Sequence, residues 1–352
     1  MASTEMVTVL EECRVSPPSS TAVDEKSLPL TFFDIPWIHQ HLVQSVFFYE
    51  YPHPKTHFIE TTIPALKHSL NLLFPPNLGK PQIHYADGDS VSLTFVESSD
   101  DFSYLTANHQ RDVARLHPLI PQMPPVSVSN DTLVAPLVAI QVTLFQTQVF
   151  LLGEETMTLE GAILPFYDRT MVKDLNGPSS ATQKMGDGPM PKTPHVSSLT
   201  VACGYTWACV AKAQARSSDE VDENELQHFV FPVDCRARLN PPLPENYFAL
   251  GKTLQNEEGV LRGAEKWLSD LESLNKERTL GASASPKFAV YNIDFGFGRL
   301  QKREFISIDE TNSISLHEGK TNMGDIEVGV ALPKMTMDVF ASIFANGLKV
   351  YD

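Results

Sequence analysis

The chain is poor in cysteine and in positive charge, and it contains no long apolar run. Its four cysteines, Cys13, Cys203, Cys209 and Cys235, are scattered over 352 residues with no CxxC pair among them. A zinc ribbon or a thioredoxin-like motif needs such a pair, so both are excluded. Isolated thiols of this kind read as buried free cysteines of a reducing compartment. Lys and Arg number 27 against 43 Asp and Glu, a formal net charge of −16. A surface of that sign repels polyphosphate and anionic lipid, which excludes nucleic acid and membrane as partners over a broad face. A few local Lys or Arg residues still suffice for a small anion in one cleft. No stretch of eighteen apolar residues occurs, so no membrane-spanning helix is expected. Met1 to Val15 holds Glu5, Glu11 and Glu12 and lacks the basic start and apolar core of a signal peptide, so a cytoplasmic location is expected.

What is present fits a globular protein. Apolar residues make up 42% and charged residues 20% of the chain, and its length suits two domains with ordinary cores. Val7 to Cys13 reads as a strand closed by Pro17 and Pro18. Ile63, Leu66, Leu70 and Leu73 space as a short amphipathic helix, and Val91, Leu93 and Phe95 alternate as a strand after the turn pair Asp87-Gly88. Leu133 to Leu152 is the most apolar run, with a central strand from Val138 and a second strand from Gln148. Lys173 to Pro194, rich in Gly, Pro, Ser and Lys, reads as a surface crossover.

Beyond the crossover, His195 to Ala215 reads as a nearly all-round apolar helix, with Ser197 or Ser198 as N-cap. A helical stripe runs from Val260 to Leu274. Strand-like runs follow at Lys287–Ile293, Glu304–Asp309 with Ser313–His317, and Ile326–Leu332. An amphipathic helix from Asp338 to Leu348 closes the chain, its apolar face being Val339, Phe340, Ile343, Phe344 and Leu348. Strands and helices mix in both halves without a regular βαβ rhythm, which predicts two α/β domains with mixed sheets.

Asp294-Phe295-Gly296-Phe297-Gly298, followed by Arg299, resembles the DFGWG signature of the plant BAHD acyl-CoA-dependent acyltransferases, with Phe297 in the place of Trp. The runs SLPLTFFDIPW, YADGDSVSLTF, LPFYDRTMVKD, HVSSLTVACGYTWACVAK, DCRARLNPPLPENYF and IEVGVALPKMTMDVFASIFANGL resemble that family's anthocyanin and phenolic glucoside malonyltransferase branch, in the family's order. The resemblance implies two domains of the chloramphenicol-acetyltransferase type, here 1–174 and 195–352 joined by a crossover at 175–194. It also implies acyl-CoA, malonyl-CoA above all, as co-substrate and no bound cofactor or metal. The reaction implied is malonyl or hydroxycinnamoyl transfer to a hydroxyl of a flavonoid or phenolic glucoside, by a monomer.

In such enzymes an HxxxD motif supplies the histidine that takes the acceptor's proton. Imidazole suits that task because it titrates near working pH. None of the eleven histidines here has an Asp four residues later; His84 and His109 have one at the third following position, a different spacing. The family places the motif between the strand that begins at Val138 and the block LPFYDRT, and the chain has nothing like it there. No catalytic residue is therefore assigned. Shortening is also visible between Leu73 and Pro75, between Asp174 and His195, and after Phe248, where Ala249-Leu250-Gly251 stands in place of the family's YFGNC. Several core elements are thus missing, which predicts exposed apolar surface. An inactive remnant of the family is the alternative function.

Other residues carry two readings each. Asp294 is structural in the family, capping or pairing at a turn where Gly296 and Gly298 allow tight backbone. Arg169, beside Asp168, pairs either with a protein acid or with an acyl carboxylate. His195, Ser197 and Ser198 open a helix that the resemblance places near coenzyme A, and they serve either as plain caps or as contacts to phosphate or pantetheine. Arg236 and Arg238, with Asp234 as a local partner, read as structural. Cys203 has no base beside it in sequence and reads as a buried thiol.

Overall fold

The structure is a computed structural model that describes residues 7–16, 26–29, 43–51, 55–57, 60, 82–85, 90–125, 127–129, 132–134, 136, 138–146, 149–156, 197–217, 226–231, 266–285, 290–292, 298–320 and 324–349. Fourteen strands lie among these residues: β1 (Val7–Val15), β2 (Lys26–Pro29), β3 (Val43–Glu50), β4 (Gln82–Tyr85), β5 (Val91–Ser98), β6 (Ser127–Ser129), β7 (Thr132–Val134), β8 (Val138–Phe145), β9 (Val149–Thr156), β10 (His228–Val230), β11 (Thr279–Ser285), β12 (Leu300–Phe305), β13 (Ser313–Glu318) and β14 (Ile326–Val330). The helices that matter here are α1 (Phe102–Thr106), α2 (Ser198–Ser217), α3 (Trp267–Glu272) and α4 (Lys334–Leu348).

The chain divides into two compact units, Met1–Phe166 with Phe288–Thr311, and Tyr167–Lys287 with Asn312–Asp352. A single cut at the crossover does not describe this division. Residues 288–311, expected with the C-terminal half, return to the first unit, because β12 pairs antiparallel with β3.

The first unit is built on a six-stranded mixed sheet in the order β1-β5-β8-β9-β3-β12. Only β5 and β8 run parallel; every other neighbouring pair in this sheet is antiparallel. Period-two alternation sends Phe47, Tyr49, Leu93, Phe95, Ile140 and Val142 to one buried face. Val46 and Phe48 go to the other, where Leu105, Leu116, Leu119 and Ile120 from the helical segment cover them. Residues of β8 are buried from Ala139 to Phe145, as a central strand covered on both faces requires. Asp101 starts α1, its carboxylate accepting from the backbone N–H groups of Ser103 and Tyr104.

Polar contacts hold β12 in place. Arg111 pairs with Glu304, Lys302 Nζ lies 3.2 Å from the same carboxylate, and Lys302 also donates to the carbonyl of Ala107 at 3.1 Å. Gly298, the last residue of the DFGFG run, has φ +92 at the entry to β12. That left-handed conformation favours glycine.

In the second unit a four-stranded sheet, β10-β11-β13-β14, is parallel up to β13 and ends in an antiparallel β14. Leu280, Ala282, Ile314 and Leu316 share a buried cluster with Cys209, Val210 and Ala213 of α2 and Phe340 of α4. Tyr205 of α2 donates to the carbonyl of Phe344 at 2.6 Å. Gly347 makes this possible, because a Cβ there would collide with the Tyr205 ring and hydroxyl.

Several expectations need correction. Val290–Asn292 is a turn of 3-10 helix rather than strand; Val290 supplies the burial, which a turn can do as well as a strand. The strand expected at Glu304–Asp309 is shifted to Leu300–Phe305, and Ser307–Thr311 turns back on itself through two bonds from Thr311 to the Ser307 carbonyl. β11 carried no sequence signal, since Gly281 to Ser285 are all small. α2 is amphipathic rather than apolar all round, with Thr200, Gly204, Ala208 and Lys212 exposed. Leu348 is exposed too, at the C-terminal end of α4. The predicted helix at 63–73, the turn at Asp87-Gly88 and the crossover lie outside the described residues.

Candidate functional site

Each candidate site residue falls into one of two groups. Arg169, His195, Asp294, Phe295, Gly296 and Phe297 lie outside the described residues, as do Asp168, Asp234, Arg236 and Arg238. Ser197, Ser198 and Gly298 are described.

Ser197 is the cap of α2. Its Oγ accepts from the backbone N–H of Thr200 at 3.2 Å and sits 2.9 Å from the Thr200 hydroxyl, while its carbonyl accepts from Val201 N–H. The Ser197 hydroxyl is therefore committed to the helix. Ser198 is exposed on the first turn, which carries no acidic residue. Such a helix start, with its remaining N–H groups and positive dipole end, favours an anion.

The surroundings of the two cysteines of α2 disfavour the thiolate. Burial pushes the Cys203 thiol up, and at Cys209 burial outweighs the downward pull of the nearby Tyr205 hydroxyl and the charge of Lys212. Cys13, Cys203 and Cys209 are all free thiols. Among the described residues no group of three or more His, Cys, Asp or Glu is placed to hold a metal ion, and no helix is long and apolar enough to cross a membrane.

β8 and β9 both lie ahead of the block LPFYDRT. β8 and β9 pair antiparallel from Val138↔Thr156 to Leu144↔Phe150. Neither strand contains a histidine.

One ionisable pair has no signature in the sequence. His117 Nε2 lies 2.9 Å from Asp309 Oδ2, between groups 192 positions apart. A carboxylate only accepts, so Nε2 carries a proton, and in the neutral ring Nδ1 is then an acceptor. His117 lines an open groove of about 370 Å³ with Gln44, Ile120, Pro121, Gln122 and Met123. No local motif signals such a pair, since both residues sit on turns and meet only through the fold.

The comparisons with known proteins now bear on this frame. A family described as Transferase family matches residues 169–251. The chain is 32% identical to the malonyl-coenzyme A:anthocyanin 3-O-glucoside-6''-O-malonyltransferase of Dahlia pinnata, over 97% of this chain and 98% of that protein. The chain belongs to the BAHD acyltransferase family. It is also 31% identical to phenolic glucoside malonyltransferase 1 of Nicotiana tabacum, over 97% and 99% of the two chains.

Among solved structures, vinorine synthase aligns with TM-score 0.67 at 15% identity, covering 96% of this BAHD chain and 98% of its own. The TRI101 protein of F. sporotrichioides, solved with coenzyme A and T-2, aligns with TM-score 0.56 at 12% identity, over 91% and 97%. The two-domain acyltransferase fold is thus shared. The Dahlia alignment runs over 452 positions and takes in 97% of this chain's 352 residues, so about 110 positions have no counterpart here. With both chains covered almost end to end, those gaps are internal, as the four shortened places predict.

Proposed function

We propose that this BAHD member acts in acyl-CoA-dependent O-acylation of a phenolic or flavonoid glucoside, with malonyl-CoA as the donor. Near-full-length similarity to proteins named as malonyltransferases of anthocyanin and phenolic glucosides carries this reading. In the reaction the acceptor oxygen attacks the thioester carbonyl, a C–O bond forms as the C–S bond breaks, and the acceptor's proton ends on the departing thiolate. The exposed start of α2 at Ser198, with His195 and Arg169, is proposed to meet coenzyme A or the acyl carboxylate. The same reading makes the chain a cytoplasmic monomer.

The missing HxxxD histidine sets the expected rate. A positioned general base contributes about 10²–10⁴-fold. Turnover by this chain is accordingly expected to fall below that of a histidine-bearing relative by about that factor. A second reading, a remnant that binds ligand without turnover, is favoured by the same deficit together with the internal gaps. Incubating purified protein with malonyl-CoA and a phenolic glucoside, with product read by mass spectrometry, separates the two. Slow product above the uncatalysed rate supports the transferase; none above it supports the remnant.

A further inference from the structure

The groove beside His117 is a more finished site than its sequence suggests. Its floor is fixed to the sheet: Gln141 Nε2 donates to the Pro118 carbonyl at 3.0 Å, and Leu119 and Ile120 are buried in the core. Gly153 of β9 lies directly beneath, where the absence of a Cβ lets the Leu119 carbonyl approach. The facing wall is equally fixed. Gln44 N–H donates to Ser307 Oγ at 3.3 Å, and the Gln44 carbonyl accepts from Ile306 N–H at 2.9 Å. Asp309 holds the His117 ring from behind, and its buried Oδ1 has no hydrogen-bond partner among the described residues. No described residue hydrogen-bonds His117 Nδ1.

The lining selects a class of ligand. The described lining residues include no Lys or Arg, and a carboxylate stands behind the imidazole, so among them a phosphate or carboxylate ligand meets no fixed cation. They do combine apolar Ile120, Pro121 and Met123 with the amides of Gln44 and Gln122 and the Nδ1 lone pair. A pyranose ring has that character: one face of C–H groups, and an edge of hydroxyls that both donate and accept. The volume of about 370 Å³ lies within the usual range of small-molecule sites.

We propose that this groove binds the sugar ring of a neutral pyranoside, with His117 Nδ1 accepting a hydrogen bond from a sugar hydroxyl and Gln122 holding its neighbour. The site lies wholly within the first unit and requires no acyl transfer, so it goes beyond the transferase reading.

Saturation-transfer NMR on the full chain with phenyl β-glucopyranoside, and phenol as control, tests it. Saturation is expected on the sugar ring protons. His117→Gln keeps a donor for Asp309 and removes the Nδ1 acceptor, while Gln122→Ala alters an exposed side chain. Each is expected to weaken glucoside binding about threefold to tenfold, the span of one hydrogen bond. Melting temperature is expected to stay unchanged in both; if His117→Gln fails to fold, Gln122→Ala alone decides. Unsaturated sugar protons in the parent protein overturn the proposal, and so does unchanged affinity in Gln122→Ala. A chain that transfers malonyl groups yet ignores both substitutions loses this groove and keeps its transferase function. One inert toward malonyl-CoA that binds glucoside through His117 and Gln122 supports the groove alone.

Discussion

Replacing Gly153 with alanine probes the contact on which both the first core and the groove depend. Gly153 sits mid-strand in β9, opposite Gln141 of β8 and Val46 of β3. An added Cβ would run into the Leu119 carbonyl, a backbone atom with no rotamer to change, while Pro121 Cδ stands 3.4 Å away. Two costs follow. Overpacking of a filled core is worth about 1–3 kcal/mol. Lifting the 117–120 turn also strains the Gln141 bond to Pro118, worth about 0.5–1.5 kcal/mol. Together they predict a loss of about 2–4 kcal/mol, or about 5–15 °C in melting temperature for a unit of this size. Gly204→Ala is the internal control. Its Cβ meets nothing within 4 Å on the exposed face of α2, so helix propensity alone applies and stability rises by about 0.5–1 kcal/mol. Differential scanning calorimetry reads both signs. A Gly153→Ala protein that melts with the parent, or above it, would refute the close approach of the turn to β9.

Tyr205→Phe deletes the hydrogen bond to the Phe344 carbonyl and is expected to cost about 0.5–1.5 kcal/mol in a urea melt, with the α2–α4 packing otherwise intact. Gly298→Ala forces a Cβ into a positive-φ conformation and should cost about 1–3 kcal/mol, read the same way. The thiols of Cys203 and Cys209, both pushed up by burial, should react slowly with an aromatic disulfide at pH 7 and faster only as pH rises past the ordinary thiol range. With folded-state values above unfolded ones, the stability they contribute is complete below that range and declines above it; rapid labelling at pH 7 would contradict the burial.

Legibility followed the size and spacing of side chains. β8 and β5 were plain because large apolar residues repeat at every second position, and α4 because its stripe repeats at three and four. β11 was invisible: Gly281, Ala282, Ser283, Ala284 and Ser285 have neither bulk nor alternation, and only the flanking ladders of β10 and β13 make them a strand. The run at Val290 misled in the opposite direction, since a buried 3-10 turn shows the same apolar letters as a strand. At the site, the DFGFG string and the Ser197 cap were readable because each is local in sequence. The His117–Asp309 pair was not, because 192 residues separate its members and neither stands in a motif. The return of residues 288–311 to the first unit was hidden for the same reason, being a property of sheet pairing alone.

The contrast between a conspicuous family and a missing base has a physical origin in where stability and chemistry reside. β9 pairs with β3 along all eight residues, from Val43↔Thr156 to Glu50↔Val149, and with β8 along seven, so the centre of the first sheet is closed without any catalytic side chain. Its two faces are filled by Phe47, Tyr49, Phe95 and Val142 on one side and by Val46, Phe48, Leu105 and Leu119 on the other. Burial of this kind scales with apolar area and is spread over dozens of positions. Proton transfer depends on one imidazole within hydrogen-bond reach of one hydroxyl. The ladders and both apolar faces are present in a chain without that imidazole. Folding therefore gives no warning of the loss, and the family remains recognisable in a chain whose turnover has to be measured directly.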